Sequence, residues 1–231
     1  MISSPKTTEW VTTPAGKEGG HVKYLYDDKL NVKCDPDYAL SKAMYELSAN
    51  KKDIRYAFTC NPFPGLGGTN IVPGKTDETP IGNGEAYALK NLKVDCKNRA
   101  LASFRLRPSV DSTKIYYEYA CGNTDLKNPV VKNSDYFNAD VTNGYPTYDL
   151  NGKLLDCGNN ILTAFRLDPK SDNSQYRYTY TCAGTEKTGS LLIWAISILI
   201  VCIIITALLG YGAYRWFRDP GSIHHSGHVL K

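Results

Sequence analysis

Six of the seven cysteines recur on a fixed interval. Cys34, Cys96 and Cys157 are 62 and 61 residues apart, and Cys60, Cys121 and Cys182 are 61 and 61 apart. Self-similarity at a period of this size marks one structural unit copied along a chain. The copies extend beyond the cysteines. The second has Phe104, Arg105, Leu106 and Pro108, then Ile115, Tyr117, Tyr119 and Cys121. The third has Phe165, Arg166, Leu167 and Pro169, then Tyr176, Tyr178, Tyr180 and Cys182. The first is more diverged, with Ala43, Tyr45 and Leu47 followed by Ile54, Tyr56, Phe58 and Cys60. It reads as carrying three extra residues after Cys34 and a turn shorter by two.

The closing segments alternate. Ile115, Tyr117, Tyr119 and Cys121 fall on one face, and Tyr116, Glu118 and Ala120 on the other. A period of two in aromatic and β-branched residues predicts a half-buried strand. The segment before it does the same, with Ala102, Phe104 and Leu106 inward and Ser103 and Arg105 outward. Turn-forming residues separate the two, Pro108 to Ser112 in one copy and Asp168 to Asn173 in another. Each unit is thus a β-hairpin entered by a short strand. A cysteine at each end of a hairpin places the two within bonding reach, so the pattern predicts Cys34–Cys60, Cys96–Cys121 and Cys157–Cys182. Closing a loop of this length stabilises each unit by roughly 3 kcal/mol in the chain-entropy model. Outer strands are expected around Asn70 to Val72 and at Val130 and Val131. The fold class is all-β: three disulfide-stapled hairpin repeats, with a pseudo-threefold, β-prism-like closure as the attractive arrangement and three beads in a row as the alternative.

Leu191 to Leu209 carries only Ser197 and Thr206 as polar residues. Extended to Tyr214 it makes a helix of about 36 Å, long enough to span a bilayer with tilt. Trp194 at one end, and Tyr211, Tyr214 and Trp216 at the other, match an interfacial aromatic belt, and Arg215 and Arg218 stop the helix. Cys202 reads as a membrane-embedded thiol. His224, His225 and His228 read as part of a short polar tail. The expected organisation is an N-terminal segment (1–25), repeats at 26–86, 87–147 and 148–185, a linker (186–190), a single transmembrane helix (191–214) and a tail (215–231).

The opening residues have neither a basic region nor an apolar stretch of the kind that directs secretion, which is read as post-translational insertion with the large domain facing the cytosol. Paired cysteines favour an oxidising compartment. None of the sixteen asparagines sits in an acceptor sequon, which fits a domain that does not meet the glycosylation machinery. The whole layout resembles virion membrane proteins and minor capsid proteins of large cytoplasmic DNA viruses, giant viruses included. That resemblance implies a structural protein of the virion's internal membrane whose partners are the lipid bilayer and other capsid or membrane proteins. The alternatives are a cell-surface adhesion or receptor protein, or a viral attachment or entry-complex subunit. Each hairpin is also similar to the disulfide-closed hairpins of dermatopontin-like matrix proteins, although that family's Asp-Arg-x-Trp core is missing.

Catalytic signals are sparse. His21 is the only histidine before the tail, and no nucleophile–base set can be built on it. Asp27 with Asp28, and Asp77 with Glu78, read as solvated charge. The near-balanced charge of the first 190 residues offers no footprint for nucleic acid. No enzyme activity, cofactor, metal or small-molecule substrate is expected. Arg105 and Arg166, at equivalent outward positions, and Tyr116 and Arg177 on the closing strands are candidate partner contacts; the alternative is strand-face side chains covering the sheet with their stems.

Overall fold

A computed structural model of the 231-residue chain describes residues 3–14, 20–66, 70–138, 147–184 and 198–209. The chain divides into two compact units, Met1–Thr185 and Glu186–Lys231.

Among the described residues the first unit contains fifteen strands in three sheets. In chain order they are β1 (Ser4–Thr7), β2 (Val11–Thr12), β3 (Val32–Lys33), β4 (Tyr38–Leu47), β5 (Asp53–Pro62), β6 (Ile71–Lys75), β7 (Thr79–Pro80), β8 (Val94–Asp95), β9 (Arg99–Pro108), β10 (Lys114–Asp125), β11 (Lys127–Asn133), β12 (Phe137–Asn138), β13 (Leu154–Asp156), β14 (Ile161–Pro169) and β15 (Gln175–Gly184). The hairpins predicted from alternation are β4–β5, β9–β10 and β14–β15. Their tips are built alike. Asn50, Asp111 and Asp172 each accept the amide of the residue two positions on. The residue after each (Lys51, Ser112, Asn173) takes a positive φ of 54° to 57°.

This regularity corrects the expected offset in the first repeat. Ala43 lies opposite Phe58 as Phe104 lies opposite Tyr119 and Phe165 opposite Tyr180. The turn is not shorter, and one residue rather than three is inserted after Cys34. The misreading matched Tyr45 to Phe104. A shift of two keeps the inward–outward alternation, so the face assignments survive and only the register changes.

Each hairpin carries a bulge at the same place, at Ser41, Ala102 and Thr163, where the register slips by a residue, and the second hairpin has a further irregularity between Cys121 and Asp125. The carbonyl freed by each bulge is taken by a cysteine amide of a neighbouring repeat: Cys34 to Ala102, Cys96 to Thr163 and Cys157 to Ser41. The short entry strands follow the same rule. β3 pairs with β9, β8 with β14, and β13 with β4. Each repeat hands its entry strand to the next one's hairpin, and the third hands its own back to the first.

The disulfides are Cys34–Cys60, Cys96–Cys121 and Cys157–Cys182, with Cα atoms 5.8, 5.5 and 5.4 Å apart. The pairing is the predicted one, but its placement differs. The first cysteine of each pair follows a strand already lying in the neighbouring sheet. Each disulfide therefore clasps one sheet to the next as well as closing a hairpin.

The outer strands also repeat. β1, β6 and β11 lie beside β5, β10 and β15, and β2, β7 and β12 continue them. Residues 4–12, outside the cysteine-based repeats, thus complete the first sheet. Between the two outer pieces a hydroxyl residue completes the pairing, with one backbone bond and one side-chain bond. Thr8, Thr76 and Ser134 donate their amides to the carbonyls of Tyr56, Tyr117 and Tyr178, and their side-chain oxygens accept the amides of the same tyrosines.

The core runs between the sheets. Tyr56 meets Phe104 edge-on at 5.7 Å, Tyr117 meets Phe165 at 5.6 Å, and the two phenylalanines are 4.9 Å apart. The equivalent third ring is missing because Ala43 stands there. A cavity of about 20 Å³ opens at that point, lined by Ala43, Tyr45, Tyr56, Tyr117 and Tyr178 among others. Burial pushes the hydroxyls of Tyr56, Tyr117 and Tyr178 well above the usual phenol range, so they stay neutral. A second apolar cluster, including Phe63, Leu66, Leu126 and Ile161, covers the cysteine end of the hairpins.

In the second unit, residues 198–209 are helical with exposed side chains. No helix among the described residues is long and apolar enough to cross a membrane. The span expected at 191–214 extends past the described residues on both sides, and Trp194, Tyr211, Tyr214, Arg215, Trp216 and Arg218 lie outside them.

Candidate functional site

The outward faces of the three sheets hold the predicted contact residues, and each residue has an intramolecular partner. On the second sheet Arg105 donates to Glu118 from Nε (2.8 Å), with Nη2 at 2.6 Å from the same oxygen, while Arg107 reaches Asp28 at 2.8 Å. Arg105 is thus part of a two-arginine, two-carboxylate network across β9, β10 and the loop before β3. Arg166 on β14 lies 3.5 Å from Asp168, which also faces Arg177 at 3.5 Å.

Tyr116 and Arg177 belong to a recurring motif. Lys75 sits over the Tyr116 ring at 3.8 Å, Arg177 over Tyr136 at 4.8 Å, and Arg55 over Trp10 at 4.2 Å. Arg55, Tyr116 and Arg177 occupy the same register position, two residues after Asp53, Lys114 and Gln175, which begin their strands. Trp10 and Tyr136 each lie two residues beyond the bridging hydroxyls of Thr8 and Ser134. The second repeat inverts the arrangement: the aromatic is on the hairpin and the cation on the outer strand, where Lys75 is also 2.9 Å from Glu78. Trp10 and Tyr136 remain 40% and 42% exposed, so each sheet presents an aromatic–cation pair partly open to solvent. Sequence reasoning found Tyr116 and Arg177 but missed Trp10, Tyr136, Arg55 and Lys75. The available signal was the hydroxyl residue followed two positions later by an aromatic, which occurs at Thr8 and Ser134.

Carboxylates at the seams are held ionised. Asp156 lies 2.9 Å from Lys42 and accepts the Gly158 amide at 2.6 Å. Burial opposes its charge, but these bonds outweigh the burial and lower its pKa below the ordinary aspartate value. Asp95 behaves likewise, with burial opposed by Lys93 and the Lys97 amide. At the second hairpin tip, Asp111 accepts from Ser109 and twice from Thr113, which brings its pKa down to about 2. His21 accepts the Lys23 amide and packs against Gly84, where any Cβ would collide with the ring. Among the described residues no group of three or more His, Cys, Asp or Glu side chains is arranged to hold a metal ion.

No family model, curated protein or solved structure matches this chain.

Proposed function

We propose that the chain is a structural, membrane-anchored virion protein that bridges the virus's internal membrane and its capsid shell. In this reading the three sheets form a pseudo-threefold, β-prism-like head, residues 191–214 form a single transmembrane helix, and the head contacts other capsid or membrane proteins without catalysis. The observation that carries the reading is the recurrence of one clasped seam three times, each with an exchanged strand, a cysteine-to-bulge hydrogen bond and a disulfide. Such a body holds its outward faces at fixed mutual angles. Repeated aromatic–cation pairs on it give avidity from individually weak contacts. The apolar run from Leu191 to Leu209 supports the anchor.

The test is protease digestion of sealed membranes from cells making the chain, followed by non-reducing peptide mapping. The expected result is a head cleaved from the cytosolic side with all three disulfides oxidised, and a head inaccessible to impermeant reagents in intact virions. A head protected from cytosolic protease would replace this reading with the cell-surface one. Labelling of the head on intact virions would point to an entry subunit instead.

A further inference from the structure

The three sheets are alike in backbone but not in what covers their outer faces. Four side chains cross each face at one register level, from the exchanged strand to the outer strand. On the first sheet they are Asp156, Lys42, Thr59 and Pro5. On the third they are Asp95, Ala164, Thr181 and Val131. On the second they are Lys33, Ser103, Ala120 and Pro73. At the first position the second sheet carries lysine where the other two carry aspartate. Beside it Ser103 is small, as Ala164 is on the third sheet, where the first sheet carries the ion-paired Lys42.

The consequence is a groove of about 920 Å³ over the second sheet, against about 370 Å³ at the corresponding face of the first. Its floor is small and largely apolar (Ser103, Ala120, Pro73). Tyr38, Leu66 and Ile71 form part of its walls. Its other charges are already matched: Asp35 with Lys6 at 2.6 Å, Glu118 with Arg105 at 2.6 Å, and Lys75 with Glu78 at 2.9 Å. Among the described residues Lys33 makes no ion pair, so the groove presents one uncompensated positive charge beside an open apolar floor.

We propose that this groove binds an extended segment of a partner protein, with an acidic side chain on Lys33 and small apolar residues along Ser103, Ala120 and Pro73. The size is that of a peptide or ligand cleft, and the single cation sets the sign of the occupant. The proposal is independent of the virion reading, because it rests on the groove alone.

The repeats themselves supply the test variants. K33D installs the residue carried by the other two seams, and S103K installs the lysine that the first sheet carries as Lys42. The full chain, oxidised and in detergent, is titrated with fluorescent extended peptides in which a central Glu is flanked by Ala, Val and Pro. Matched peptides carry Gln or Lys in place of the Glu. The Glu peptide is expected to bind the wild type about tenfold more tightly than the Gln peptide, the strength of a charge-assisted contact. K33D should remove that preference and turn it toward the Lys peptide, while S103K should abolish binding of all three. Peptide mapping of the three disulfides verifies that each variant is folded. The proposal is overturned by wild-type protein that retains none of the peptides, by equal affinity for Glu and Gln, or by S103K binding as the wild type does. Competition by free glutamate as effective as by the peptide would also overturn it, by assigning the groove to a small anion.

Discussion

Replacing Thr76 by valine should destabilise the β unit although it keeps the side chain's shape. The Thr76 hydroxyl accepts the Tyr117 amide at 3.0 Å and donates to the Asp77 carbonyl at 3.0 Å. The Tyr117 bond is buried, and Thr76 itself is 9% exposed. Valine leaves the amide without an acceptor in a place water does not reach, which costs about 1–3 kcal/mol. Asp77 is exposed, so its carbonyl recovers a partner from solvent. For a unit of this size the thermal midpoint should fall by roughly 2–4 °C per kcal/mol. The corresponding bonds from Tyr56 to Thr8 and from Tyr178 to Ser134 are only partly buried. T8V and S134A should therefore each cost less than T76V. The assay is urea unfolding of the oxidised chain followed by tyrosine fluorescence, with T76S as the control that restores the acceptor. A T76V protein as stable as the wild type would refute the bridging role, as would a T76S protein no more stable than T76V.

Other consequences are equally direct. Filling the space left by Ala43 is limited by a void of about 20 Å³; A43V should be neutral or mildly stabilising, whereas A43F, which restores the ring of the other repeats, should cost about 1–3 kcal/mol through overpacking, both read by the same unfolding assay. Removing one clasp with the pair C96S and C121S should cost about 3 kcal/mol on the chain-entropy estimate, checked by the shift in urea midpoint. The pKa values of Asp156 and Asp111 are depressed in the folded state. Their stabilisation is fully present above the ordinary aspartate value near pH 4 and is lost as pH falls through the folded values, about 2 for Asp111. D156N and D111N should accordingly flatten the acid limb of a stability–pH curve.

The hairpins, their inward faces and the disulfide pairs were legible because each depends on local pattern: alternation over about ten residues, turn chemistry at Asp111 and Asp172, and spacing between cysteines. The destination of β3, β8 and β13 was not legible. A strand of two or three residues carries too little alternation to specify a partner, and its choice depends on bulges at Ser41, Ala102 and Thr163 that no single residue type announces. The first repeat misaligned by two because Tyr45 mimics the aromatic of Phe104, and a slip of two leaves the face pattern intact. The groove at Lys33 was hidden for a related reason, since it exists only as a difference between positions that the correct register brings into line. The outward arginines were legible as positions, but their ion pairs with Glu118 and Asp168 depend on cross-strand register.

The exchanged strands impose an order on synthesis. The first sheet lacks β13 until residues 154–156 have been made, although β1, β4 and β5 are complete by residue 62. A nascent chain that has left the ribosome only as far as the second repeat carries an open edge on β4, where β13 will later dock. Exposed edges invite pairing with other chains. The same incompleteness leaves the Ser41 carbonyl waiting for the Cys157 amide. Closure of the strand exchange is therefore a late event that joins the two ends of the folded region, and premature termination within the third repeat leaves an unfinished edge rather than a smaller version of the same β unit.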